Sequence, residues 1–218
     1  VWLCGAQVAT MTPKFFAELA PRKKDSTIQA IIDAAGVLLH EKMGIAPHAR
    51  EIAATSGYSV GTIYNYFTSV GDVVSHLVLK RQTEIMKKIE DIITDHDADQ
   101  PAETLCARIV ESLFSNYNSV SPAVLRFAYN LAIANSAKPE LHERVLDRLL
   151  QPIHAAVSRD KTGTFRKCDD QELALYLRGI FYLCRYPLLE SNPIYGTPDH
   201  QRIILNLITR TMAQDAAI

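Results

Sequence analysis

The chain has 218 residues and a mass of 24.3 kDa, with 48% hydrophobic and 22% charged residues and a formal net charge of −1 at pH 7. That length supports one large core or a small unit joined to a larger one. The near-neutral balance excludes a bulk polyanion binder, so any nucleic-acid site must come from local placement of charge.

The chain opens on Val1 to Thr10, which is apolar but lacks a basic leader and is short for a signal peptide; Met11 follows directly, and the native protein is expected to start there. Pro21-Arg22-Lys23-Lys24 is a basic arm just before a helix, suited to lie on phosphates or to reach into a minor groove. Ser26 with Gln29 forms a capping-box pattern. Ile28, Ile31, Ile32, Ala35, Leu38 and Leu39 then make one stripe at helical spacing, which ends near Met43 with Gly44 as the cap.

The stretch from Pro47 to Phe67 reads as two short helices joined by a glycine turn. Ile52 and Ala53 share one face of the first, Gly57 supplies the corner, and Ser59 caps the second. In that second helix Val60, Ile63 and Phe67 are expected to point inward, and Thr62, Tyr64, Asn65 and Tyr66 outward. So short a helix is marginal without tertiary support, and its outward polar and aromatic residues fit entry into a DNA major groove.

Here the run from Ser26 to Val74 resembles the N-terminal domain of the tetracycline-repressor (TetR) family, above all in Ile52-Ala53, Ser56-Gly57-Tyr58-Ser59, Gly61-Thr62-Ile63-Tyr64 and Tyr66-Phe67. Two positions depart from the family pattern. His48 stands where a threonine usually opens the motif's first helix, and Val70 where a phosphate-contacting lysine usually follows. From Ile52 to Gly71 there is no charged residue, so the second helix must read DNA by hydrogen bonds and packing. Thr62 and Tyr64 are expected on base edges or thymine methyls, with Val60 adding apolar contact and Gly61 permitting close approach. Arg50 is the candidate for a guanine contact, and Ser59, Tyr66 and His48 for phosphates, assisted by Arg22, Lys23 and Lys24.

Beyond Phe67, Ser69-x-x-Asp72 is a second helix-start signature, and a long helix runs from Val70 to about Ile93. The acidic linker Thr94 to Gln100 contains Asp95-His96-Asp97, read as solvated and not as a metal site. Helices follow from Pro101, from Ser121 to Asn135, and from Lys138 to about Arg159, the last kinked or divided at Pro152. After a polar loop from Asp160 to Asp169, Leu173 to Cys184 is apolar nearly all round and must be covered on more than one side. Pro187 kinks or ends that helix, and Pro198 to Ala213 forms the last one. No strand is expected.

Cys4, Cys106, Cys168 and Cys184 are widely spaced with no Cys-x-x-Cys pair, as befits reduced thiols in a cytoplasmic protein. No apolar run approaches the roughly 18 residues needed to span a bilayer. Nucleophile elbow, phosphate loop, dinucleotide fingerprint and zinc-protease pair are all missing, so neither an enzyme nor a cofactor is expected. Phe114, Tyr117, Phe127 and Asn130 are the candidate walls of a largely apolar effector pocket.

The expected architecture is all-α: a mobile segment with the basic arm over 1–24, a helix-turn-helix DNA-binding domain over 25–69, and a ligand-binding and dimerisation domain over 70–218. The resemblance implies a ligand-responsive regulator, by default a repressor, that binds a palindromic double-stranded operator as a dimer and is released by a small molecule. Asp170 to Ser191 and Pro198 to Ala213 are expected to form the dimer interface. The alternative is a helical ligand-binding or protein-interaction module whose head has lost specific DNA binding.

Overall fold

The computed structural model describes residues 25–115, 120–135 and 144–214. The basic arm at Arg22, Lys23 and Lys24, and the candidate wall residue Tyr117, lie outside them. Along the chain come α1 (Asp25–Glu41), α2 (Ala49–Ser56), α3 (Val60–Tyr66), α4 (Val70–Thr94), α5 (Ala102–Ser115) and α6 (Pro122–Asn135). A short 3-10 turn (Asp147–Leu149) leads into α7 (Leu150–Arg159), followed by α8 (Asp170–Leu189) and α9 (Pro198–Met212). Among the described residues there is no strand, only an isolated antiparallel bridge between Phe165 and Ala213.

A small core joins the first three helices to the start of α4 through Ile31, Ile32, Ala35, Ile52, Ile63 and Phe67. Ile52 and Ile63 are fully buried, and each such side chain contributes about 1.5 to 3 kcal/mol. A second cluster, with Leu39, Val74, Val78, Val124 and Ala128, sits where α1, α4 and α6 meet. The largest core gathers the far half of α4 with α5, α7, α8 and α9. A three-helix head and a larger helical body thus share α4.

At the near end of α4, Gly71 is buried beneath the last turn of α6, and a Cβ built on it would lie 2.5 Å from Asn135 Cγ. No other residue fits there unless α6 moves. α1 begins at Asp25, one residue before the Ser26 expected to cap it, and Gln29 Nε2 donates to Asp33 Oδ1 at 2.8 Å.

The two prolines act differently. Pro152 falls in the first turn of α7, where its missing N–H would have had no helical acceptor anyway; it divides the chain there without kinking the helix. Pro187 lies inside α8, two residues before its end, and leaves the Leu183 carbonyl without its helical donor. His200 of α9 takes over, with Nε2 at 3.4 Å from Leu183 O. Its Nδ1 accepts the Gly196 N–H at 3.2 Å, which places the ring proton on Nε2.

His200 is 3% exposed, with Phe114 edge-on at 5.0 Å between ring centroids. Burial depresses its pKa, opposed by the Leu183 carbonyl. The unfolded chain therefore takes up a proton near pH 6.5 and the folded chain only lower. Stability from this site is fully present above about pH 6.5 and is lost as pH falls through the depressed folded value, by at most about 1.4 kcal/mol per pH unit. In denaturation titrations from about pH 7 to pH 5, His200→Gln is expected to flatten the profile relative to wild type. Parallel profiles would place the pH dependence elsewhere.

One side of α8 packs inward through Leu173, Cys184 and Leu188. The opposite side carries Leu175 (71% exposed), Tyr182 (48%), Leu183 (44%) and Tyr186 (40%), beside Ile203 of α9 (46%). The described residues thus cover this helix on one side only. A Cβ at Gly179, in the same stripe, would touch nothing within 4 Å.

Candidate nucleic-acid interface and effector cavity

α2 begins at His48, whose extended backbone (φ −87°, ψ 153°) occupies the cap position. Its N–H donates to Glu51 Oε2 at 2.6 Å, and Lys42 Nζ pairs with Glu51 Oε1 at 2.6 Å. The His48 N–H, then the Lys42 ammonium, hold the Glu51 carboxyl below the usual carboxylate range. A glutamate thus fastens the start of this helix. Gly57 (φ 77°) ends α2 in the left-handed region, with its N–H donating to Ala53 O at 3.1 Å. Ser59 Oγ then accepts the Thr62 N–H at 3.0 Å and opens α3.

Ile52 and Ile63 face one another in the core, so the residues a third of a turn away must face out. Arg50, His48, Ser59, Gly61, Tyr64, Asn65 and Tyr66 are exposed, and Val60 and Thr62 are half-buried. Tyr64 stands 53% and Tyr66 40% open. Two expectations need adjustment. Val60 neither buries fully nor stands clear, because it occupies the first turn of α3 at the edge of the core. Thr62 Oγ1 lies 2.9 Å from Ser59 Oγ, so its hydroxyl shares a local bond before any base is offered. Val70, where the family pattern has a lysine, packs against the head core.

A buried carboxylate ties α3 to α4. Asp72, 2% exposed, accepts the Thr68 N–H at 2.9 Å and the Thr68 hydroxyl at 3.2 Å through Oδ2. Ser69 Oγ accepts the Asp72 N–H at 3.0 Å in return. His76 Nδ1 lies 3.4 Å from Asp72 Oδ1, and its ring meets Phe67 edge-on at 5.1 Å. The sequence pattern at Ser69-x-x-Asp72 showed the cap, but not that its carboxylate also clasps Thr68.

In the body, three of the candidate wall residues fall among the described residues, and they lie in different surroundings. Phe114 is buried against His200, Phe127 is half-buried in the α1–α4–α6 cluster, and Asn130 is exposed. Three spaces lie along α4, and another of about 600 Å³ lies away from it, between His154, Asp160, Lys167 and Gln214. One of about 300 Å³ is bounded by Gly36, Leu39 and His40 of α1, Leu77, Lys80 and Arg81 of α4, and Val124, Leu125 and Tyr129 of α6. A recess of about 50 Å³ shares Arg81, Leu125 and Tyr129 with it and adds Leu113, Phe181, Arg185 and Tyr195. A third space of about 50 Å³, deeper in the body, is walled by apolar groups such as Met86, Ile109, Leu146 and Ile153.

The recess is electrostatically one-sided. Arg81 and Arg185 enter it, and no Asp or Glu is among its described lining residues. Burial raises the Tyr129 phenol, against the pull of the Arg185 and Arg81 charges, and burial then Tyr129 raise the Tyr195 phenol. Both phenols therefore keep their protons as donors at neutral pH. Burial pushes the Cys106 thiol up to about 11 and raises that of Cys168, so neither is a thiolate at neutral pH.

No helix among the described residues is long and apolar enough to cross a membrane. Buried His96 packs edge-on to Phe165 with ring centroids 5.7 Å apart, and its Nε2 lies 3.1 Å from Gln100 O.

No protein-family model and no curated protein matches the chain. Solved structures do. SmeT, the repressor of the Stenotrophomonas maltophilia multidrug efflux pump SmeDEF, superposes with a TM-score of 0.56 at 20% identity over 87% of this chain and 93% of its own. A TetR family transcription regulator from Marinobacter aquaeolei VT8 does so with a TM-score of 0.53 at 17% identity, over 88% and 98%. The fatty acid degradation regulator FadR from Bacillus halodurans gives 0.52 at 19% identity, over 86% and 98%. Across most of its length, this chain has the all-helical fold of the TetR-family transcriptional regulators.

Proposed function

We propose that the protein is a ligand-responsive transcriptional regulator, by default a repressor, that binds a palindromic operator as a dimer. In this reading residues 25–69 bind DNA, and residues 70–218 hold the effector and join the protomers. The observation that carries it is the outer side of α2 and α3: Arg50, Ser59, Gly61, Tyr64 and Tyr66 are open to solvent on a unit whose other side is buried. Arg50 grips a guanine, Thr62 and Tyr64 meet base edges beside Val60, and His48, Ser59 and Tyr66 hold phosphates with the arm at Arg22, Lys23 and Lys24. Among proteins of this fold, SmeT is a repressor and has been solved with triclosan, at a TM-score of 0.52, which supports a small, largely apolar effector in the body.

An effector that touches α1, α4 and α6 at once acts on the head directly, provided it binds the two states with different affinity. Operator selection from random duplexes tests the reading, with one enriched palindrome as the expected result. Failure to enrich any sequence would leave a helical binding module. On the selected operator, Arg50→Ala is expected to cost about 1 to 3 kcal/mol and to relax one position per half-site. Equal loss on operator and random DNA would make Arg50 a phosphate contact.

A further inference from the structure

We infer that the effector carries a carboxylate, seated in the recess between Arg81, Arg185, Tyr129 and Tyr195, with its apolar part in the adjoining cavity against α1. The inference rests on reading the body as an effector site and specifies what that site takes.

Four observations converge. Arg185 enters a recess without a described acidic wall residue, and its buried Nε has no hydrogen-bond partner among the described residues. The residue as a whole is half-buried, and an anion in the recess would give that buried N–H the acceptor it lacks. The guanidinium plane is already held, with Cζ 4.8 Å from the Phe181 ring centroid. A planar, pre-oriented guanidinium suits a carboxylate better than a spherical anion, because two parallel bonds can form.

The phenols of Tyr129 and Tyr195 line the same recess and are protonated at neutral pH, with Tyr129 also bonded to Gln82. The recess, at about 50 Å³, has room for a carboxylate and little more. The adjoining cavity, at about 300 Å³, has apolar wall in Leu39, Leu77 and Val124. Arg81, Leu125 and Tyr129 line both spaces, which sets the two side by side. The apolar end of the effector then rests on Gly36 and Leu39, which belong to the helix that carries the head.

The test is calorimetry on the full chain with matched pairs: octanoate and octanol, phenylbutyrate and phenylbutanol. Acids are expected to bind about 10- to 100-fold more tightly than their alcohols. Arg185→Gln should abolish that preference, with the acids losing far more affinity than the alcohols. Should that variant fold poorly, Tyr195→Phe removes one hydroxyl and should lower acid affinity several-fold. Equal affinity of acids and alcohols, or a preference that survives both substitutions, would overturn the inference. If the alcohols bind and release operator DNA without any preference for acids, the effector reading stands and the carboxylate alone falls. Binding of neither class would overturn both.

Discussion

Leu175→Glu combined with Leu183→Glu is expected to yield a folded monomer that no longer binds operator. Both side chains are open in the protomer, 71% and 44% exposed, so the substitutions leave the protomer core intact. The stripe they interrupt, with Tyr182, Tyr186 and Ile203, is too apolar to face water in a stable protein unless another surface covers it. A two-fold pairing of α8 and α9 would cover it with a second copy of itself, and Gly179 leaves room for close helix approach. Each glutamate would then be buried without a partner at a cost of several kcal/mol, enough to raise the dimer dissociation constant more than about 1,000-fold. Sedimentation at micromolar concentration reads the outcome. A wild-type monomer, or a variant that remains a dimer, would locate the interface elsewhere.

Asp72→Ala is the second large effect. It removes the acceptor of the Thr68 N–H and hydroxyl at a part-buried site and frees the segment that joins α3 to α4. Losing charge-assisted bonds there should destabilise the fold by about 2 to 3 kcal/mol in urea. Asp72→Asn, which keeps an acceptor oxygen, should cost less. Operator affinity at a temperature where the variant is fully folded should still fall, because the clasp fixes the angle at which α3 leaves the core. If affinity is retained there, Asp72 is a stability residue only.

Much of this was legible in sequence where residue type and position say the same thing. Gly57 and Ser59 announce a corner and a cap, and Ile52 and Ile63 show their faces because polar neighbours surround them. The cavity was not legible for the opposite reason. Along α6 apolar residues occur on nearly every side, so type does not reveal phase; along α5 Leu113 and Phe114 are neighbours on the apolar side, and each step of one residue turns the side chain by about 100°. In both helices the wall is the neighbour of a residue expected there: Leu113 beside Phe114, and Tyr129 beside Asn130. Arg185 and Tyr195 were out of reach, since they come from α8 and from the loop before α9 and meet Arg81 only in space. The role of His200 depends on Pro187, thirteen residues earlier, and no local pattern links them.

Were α4 to tilt in response to an effector, the close contact at Gly71 would set its fulcrum at one end. The helix has 25 residues, a length of about 37 Å, and Gly71 is the second of them. A tilt of about 10° about the contact with Asn135 sweeps the far end through about 6 Å and Arg81 through about 2.5 Å, yet hardly displaces Ser69. What reaches the head from such a movement is an angle and not a translation. A substituent at position 71 would wedge the fulcrum and hold the arm at a single inclination, whatever lay in the cavity.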